Sequence, residues 1–245
     1  MPDDPLRSRT VANRRRALAL VATACVPLGI AIGLIFWWGI SWVAGLAGAV
    51  VAPVALGALM WWGAEPLARR SLDGRPADAV GDARLVNLVD GLCATIGARP
   101  PALRVRDEPA LNAAVCGRRR GSATLVVTQG LLDRLNRVEL EGVLAQQLTR
   151  IRCYDMLPAT VTVATLGIFA TMLSPAEPVT AMDRAAASFT RYPPGLIGAL
   201  EKLMTEGTEV HGGSRANAQL WFADPGGTKG PTTTLKDRVM ALREL

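Results

Sequence analysis

The sequence predicts an α+β protein: an N-terminal transmembrane helical hairpin followed by a mainly helical domain with a small antiparallel β-sheet. Residues 17–64 contain no Asp, Glu, Lys or Arg. Beyond residue 82, apolar residues recur at helical spacing in several segments. Between residues 102 and 128 they run in short strand-like stretches bounded by turn residues.

The uncharged run makes the chain more apolar than a typical soluble domain, with 50% hydrophobic residues and a mean hydropathy of +0.24. As one helix it would be roughly 70 Å long, against a hydrocarbon core of about 30 Å. Two spans and a short turn fit better. Tryptophan favours the interface between lipid and water, so Trp37, Trp38 and Trp42 mark the turn, and Trp61 and Trp62 mark the exit. Such a run is far longer than a signal-peptide core, and a retained anchor is expected. Arg7, Arg9, Arg14, Arg15 and Arg16 precede the first span, and Arg69, Arg70 and Arg75 follow the second. By the positive-inside rule both ends are cytoplasmic. The expectation is a multi-pass protein of the inner or plasma membrane with most of the chain in the cytoplasm. Its parts are a basic N-terminus (1–16), the spans (17–64), a polar connector (65–81) and a domain (82–245).

A net charge of +6 does not argue for nucleic acid, because eight of the 27 basic residues flank the spans. The lipid bilayer is the expected partner, and the cluster of Arg14 to Arg16 suits anionic headgroups. Cys25, Cys93, Cys116 and Cys153 show no paired spacing and read as buried thiols.

Along the domain, Leu85, Val86, Leu88, Val89, Leu92, Cys93 and Ile96 keep a helical spacing, which ends at the Gly97 to Pro101 breaker. Leu103 and Val105 alternate with arginines and suit a short strand. Residues 112–116 and 123–128 form a hairpin whose basic tip, Arg118 to Arg120, lacks interleaved aromatics and reads as a solvated turn. A helix then resumes at Leu131. Residues 157–173 are uncharged but marginal in length for a span. A crossing would separate the segments on either side of them, so a re-entrant, interfacial or buried helix is expected.

Residues 138–154 predict an amphipathic helix capped by Asn136 and Glu139 as a capping box. Leu140, Val143, Leu144, Leu148 and Ile151 form its core stripe. Gln146 and Arg150 lie four residues apart on one face, the geometry by which the histidines of H-E-x-x-H grip zinc. Taken alone, that spacing also describes an ordinary helix with a polar face.

The flanking segments narrow the choice. Asn112-Ala-Ala-Val-Cys-Gly117, Thr124-Leu-Val-Val-Thr-Gln-Gly-Leu-Leu132 and Glu139-Leu-Glu-Gly-Val-Leu-Ala145 follow one another in the order of N-A-F-A-T-G, V-T-x-G-L-L and L-E-x-V-L-A-H-E-L-x-H. Asp183-Arg-Ala-Ala, Leu220-Trp-Phe-Ala-Asp-Pro225 and Leu235-Lys-Asp-Arg-Val239 follow in the order of an E-x-x-A-D helix and the closing segments after it. From residue 82 to 245 the chain resembles the HtpX-type integral-membrane zinc metallopeptidases, which are related to the CAAX prenyl endopeptidases. The resemblance implies a zincin-like domain whose zinc ligands would fall at Gln146, Arg150 and Val179, with the general base at Gln147. Asp183 matches an acid that supports a ligand histidine. All four working positions are substituted, so no cofactor is expected although the family uses zinc.

Physically, an amide oxygen is a poor zinc ligand, valine offers none, and arginine sets a permanent positive charge where a dication would sit. Two placements of Arg150 are open: pairing with Asp183, or turning out toward solvent or lipid headgroups. The expected function is that of a catalytically inactive, membrane-anchored family member that binds or regulates a membrane protein or an active protease. Peptide addition to the strand Ala123, Thr124, Leu125, Val126, Val127 and Thr128 is the expected binding mode. Two alternatives remain: an enzyme with a relocated site, built from Cys153 or Cys116 with His211, and a structural membrane subunit.

Overall fold

A computed structural model of the chain describes residues 5–165, 179–214, 216–226 and 234–245. Helices α1 (Pro5–Gly39) and α2 (Trp42–Leu72) form the hairpin. Each contains a stretch long and apolar enough to cross a membrane. Their turn is capped by Ser41, whose hydroxyl accepts from the Ala44 amide at 3.2 Å, and Trp37, Trp38 and Trp42 are exposed around it. The helices approach closely because small residues line the seam. A Cβ on Gly33 would come within 2.6 Å of the Ala49 methyl, and one on Gly45 within 2.7 Å of Trp37.

Both helices extend beyond the uncharged run. The first already includes the basic residues before Ala17, and the second continues through Glu65 and Pro66 to Leu72, where the sequence suggested a polar connector. Pro66 removes one backbone donor, but three features carry the helix past it. Glu65 and Arg69 pair one turn apart at 3.0 Å. Arg69 and Arg70 lie at the negative end of the helix dipole. Ala68 and Leu72 are fully buried against the domain, and burying a leucine contributes about 1.5–3 kcal/mol.

The remaining connector is short and ordered. Its strand β1 (Arg75–Pro76) pairs antiparallel with β2 (Ala102–Arg106). Asp82, at the head of α3 (Ala83–Ile96), accepts two bonds from Arg75 at 2.6 and 3.0 Å and one from the Asp78 amide at 2.7 Å.

Strands β3 (Ala113–Cys116) and β4 (Thr124–Thr128) form the expected hairpin. The sheet order is β1-β2-β4-β3, and β2 runs parallel to β4. The sheet is therefore mixed rather than antiparallel, because the hairpin folds back so that its second strand docks beside β2. Side chains alternate across β4. Leu125 and Val127 join a core with α3 and with α5 (Arg137–Arg152). Val126, with Ala114 and Cys116 of β3, faces Ala68 and Leu72 of α2 and Ala159 and Val163 of α6 (Met156–Ala164). Both faces are covered, so every β4 residue is buried.

Helix α6 begins the stretch that the sequence left as re-entrant, interfacial or buried. Its described part is buried, wedged between the hairpin and the sheet. Leu157 and Val161 pack on Ala17, Leu20 and Ala64. Residues 166–173 of that stretch lie outside the described residues. The β3–β4 tip is also more than a solvated turn: Arg118 pairs with Glu65 at 3.2 Å, and Arg120 stacks over the Tyr154 ring. After α4 (Gln129–Arg134), the domain is completed by α7 (Val179–Thr190), α8 (Pro193–Glu206) and α9 (Leu235–Arg243). Gly142 lets α5 lie directly on α8, where a Cβ would come within 2.8 Å of the Leu196 nitrogen.

The Arg75 guanidinium holds the Asp82 carboxyl below its ordinary 3.8. A depressed folded value stabilises the fold fully above the unfolded value, and this contribution is lost as pH falls through the folded one. Acid titration of thermal stability should therefore show a loss below about pH 4 that is smaller in Asp82→Asn than in the parent chain. Identical acid limbs would show that the connector pair carries no such linkage.

Candidate site at the edge of the sheet

Helix α5 starts with the full capping box of Asn136 and Glu139, whose carboxylate accepts from the Asn136 amide at 2.8 Å. Glu139 also binds Lys202 of α8 at 2.7 Å, which fixes the rotation of the helix. Gln146, Gln147 and Arg150 are consequently turned inward, at 1%, 0% and 6% exposure.

The Arg150 guanidinium is fully engaged. Its Nε donates to Asp155 at 2.9 Å. Nη1 donates to the carbonyls of Leu220 at 3.0 Å and Trp221 at 3.3 Å, and reaches the Gln147 amide oxygen at 3.4 Å. Nη2 donates to the Gln219 carbonyl at 2.5 Å. Asp183 on α7 is fully buried and bound bidentately by Arg238 of α9, at 2.7 and 2.8 Å. The expected pairing of Arg150 with Asp183 is thus corrected: each has another partner, and Arg150 turns neither to solvent nor to lipid. Asp155, five residues after Arg150, lies just beyond the turn that ends α5 and is the nearer acid. Val179, at the first described turn of α7, is half-buried and brings no polar atom.

Arg238 also donates to the Phe222 carbonyl at 2.8 Å and lies over the Phe222 ring, 4.2 Å from its centre. On the other side, Asn112 donates to the Ala223 carbonyl at 2.9 Å and accepts from the Ala223 amide at 3.1 Å. Trp221 bridges to Ala114 of β3, and the Phe222 amide donates to the Ala113 carbonyl at 2.6 Å. After a short 3-10 turn at Ala218–Leu220, Trp221 and Phe222 therefore touch the outer edge of β3 through a single bridge, and the carbonyls of residues 219–223 are all held. This corrects the second site expectation. Strand β4 is interior, paired on both sides, and cannot receive a peptide, while its neighbour β3 is an edge strand, touched there by the chain's own Trp221 and Phe222.

The donor set around α5 does not fit zinc. It offers two neutral amides and a guanidinium, and no group of three or more His, Cys, Asp or Glu able to hold a metal occurs among the described residues. Three buried polar atoms, Gln146 Oε1, Gln147 Nε2 and Trp221 Nε1, have no hydrogen-bond partner among the described residues. They are an amide oxygen, an amide nitrogen and an indole N–H, none of which supplies a zinc ligand of ordinary strength.

A thiol-based site is not assembled either. Burial pushes the Cys116 thiol up to about 12, and burial raises Cys153 as well, so both favour the unreactive protonated form. His211 faces the surface and places Nδ1 3.1 Å from Glu108. Arg238, Asp155 and Trp221 carry the site without having been singled out from the sequence. One signal was present: a carboxylate such as Asp183, on an otherwise apolar helix face, requires a cation, and Arg238 lies on the periodic helix that closes the domain.

A hairpin of two helices long and apolar enough to cross a membrane carries an α+β domain whose central helix presents two buried positions one turn apart beside a sheet edge, the architecture of a membrane-anchored α+β protein. The chain is 31% identical over 206 residues, 65% of its length and 68% of the relative's, to a Protease HtpX homolog of Dictyoglomus thermophilum. To the Protease HtpX homolog of Dictyoglomus turgidum it is 29% identical over 183 residues, 58% of the chain and 60% of the relative. To that of Bacteroides fragilis it is 32% identical over 103 residues, 42% of the chain and 32% of the relative. No family model matches the chain, and no solved structure matches it. The chain belongs to the HtpX protease family.

Removing one partner of a buried ion pair typically costs about 3–5 kcal/mol, whereas apolar replacement of both is often close to neutral. Arg238→Met should lower the melting temperature of the detergent-solubilised chain markedly, and Asp183→Leu combined with Arg238→Met should recover most of the loss. In Arg150→Met, amide exchange at residues 220–223 should accelerate while exchange in β4 stays unchanged. Equal protection in parent and variant would show that Arg150 does not hold the segment.

Proposed function

We propose that this chain is a non-hydrolytic member of the HtpX family, anchored in the membrane with its domain on the cytoplasmic side, that binds or regulates a membrane protein or an active protease. One observation carries the proposal: the guanidinium of Arg150 is buried and fully engaged at the position where the resemblance implies a metal ligand. Its positive charge opposes a dication there. With Gln147 in place of the glutamate, the position also lacks the base that would take a proton from water, a role worth about 10²- to 10⁴-fold in rate.

A second reading, a structural membrane subunit, is favoured by the edge of β3. Since Trp221 and Phe222 already pair with that edge, peptide capture by strand addition would first require their release. The two readings separate on whether a peptide reaches β3.

Metal analysis of the purified full chain should find substoichiometric zinc, and casein and membrane-protein substrates should stay intact. Stoichiometric zinc or cleavage overturns the non-hydrolytic assignment. Photocrosslinking from the Arg118 position, partly exposed just beyond the end of β3, should capture a peptide or a co-purifying membrane protein if the chain is a binding module. If it captures only residues of this chain, the structural reading stands.

A further inference from the structure

We propose that the base of the helical hairpin carries a binding site for the phosphate of an anionic phospholipid headgroup. It is formed by Arg14, Arg15 and Arg16 of α1 with Arg119 and Arg120 of the β3–β4 tip. The fold unites two basic clusters that are more than a hundred residues apart in sequence. Asn13 of α1 is buried and donates to the Cys153 carbonyl at 3.1 Å, which docks α1 on the end of α5. The next residue, Tyr154, has a left-handed backbone (φ 58), and its ring is shared by Arg14, 4.5 Å from the ring centre, and Arg120, at 4.8 Å. Arg120 also reaches the Thr10 hydroxyl at 3.4 Å.

These five arginines have no carboxylate partner among the described residues. The nearby acids are committed elsewhere: Glu65 to Arg69 and Arg118, and Asp155 to Arg150. The Tyr154 ring gathers two guanidiniums at one place, and the positive charge concentrated there attracts an anion to their outward N–H groups. Arg14, Arg119 and Arg120 are exposed, as is Arg15.

Position selects the anion. Arg14 to Arg16 directly precede the uncharged run, within about 5 Å of helix rise from Ala17. The polar headgroup layer on each side of the hydrocarbon core is roughly 5–7 Å deep. The cluster is therefore level with lipid phosphates, and α6, packed on Ala17 and Leu20 and accepting from the Gly117 amide through Thr160 at 3.0 Å, holds the tip at that level. Guanidinium is suited to phosphate oxygens, which it can bind with two parallel N–H donors.

The test is a lipid titration of the detergent-solubilised full chain read by native mass spectrometry, with phosphatidylglycerol, phosphatidylcholine or inorganic phosphate as probe. An arginine near an anionic lipid surface is worth roughly fivefold in affinity, so Arg119→Gln with Arg120→Gln should weaken phosphatidylglycerol binding about 25-fold. Lys236→Gln, an exposed charge on α9, should leave it unchanged. Because Arg120 also stacks on Tyr154, Arg15→Gln with Arg16→Gln provides a second variant with the same expected loss. Unaltered phosphatidylglycerol affinity in both double variants overturns the site, as does equal binding of phosphatidylcholine or an equal loss in Lys236→Gln. Inorganic phosphate that binds alone and displaces the lipid would assign the site to a free anion and overturn the headgroup assignment.

Discussion

Two guanidiniums bind the carbonyls of one short segment, and the rest of the domain is arranged around that fact. Arg150 takes the carbonyls of residues 219–221, and Arg238 takes that of Phe222 while neutralising Asp183. Neither cation could be buried without those acceptors, because an unpaired charge in a protein interior costs several kcal/mol. The segment, in turn, could not lie against β3 without donors for its inward carbonyls. Helices α5, α7 and α9 and the sheet edge are thus mutually dependent. Removing either arginine unsettles elements distant in sequence from it.

On the proposed non-hydrolytic reading, the arrangement also gives the helix a substitute for a metal's structural role. A bound dication would organise its surroundings by drawing oxygen and nitrogen ligands inward. Here the inward-pointing oxygens are backbone carbonyls and the cation is covalently part of the chain. A guanidinium sets a positive centre at that place and, unlike a metal ion, has no open coordination position to offer a water.

Much of the architecture was legible because it rests on local patterns. The absence of charge between Ala17 and Ala64, the capping box at Asn136 and Glu139, and the periodicity of α3 each depend on neighbours within a few residues. Other features depend on distant parts of the chain. Pro66 argued against a continuing helix, and only the buried seat of Ala68 and Leu72 reversed it. The parallel pairing of β2 with β4 follows from which edge the hairpin selects, which neither strand encodes alone. Asp183 was visible as a carboxylate in need of a partner, but its choice of Arg238 over Arg150 rests on a contact across 55 residues. Strand β4 was read as an accessible edge because its sequence cannot show that both of its sides are paired.

Helix α2 leaves the membrane and becomes part of the domain core without a break. Ala68 and Leu72 pack on the outer sheet face, and α6 fills the angle between that face and α1. A flexible tether would let the domain sample many orientations, but this one is keyed to the bilayer normal through a rigid joint. Its folding is likewise not autonomous: severed from the hairpin, the domain would expose the apolar side of its sheet to water. Insertion of the first two helices is therefore a step in building the domain as well as in locating it.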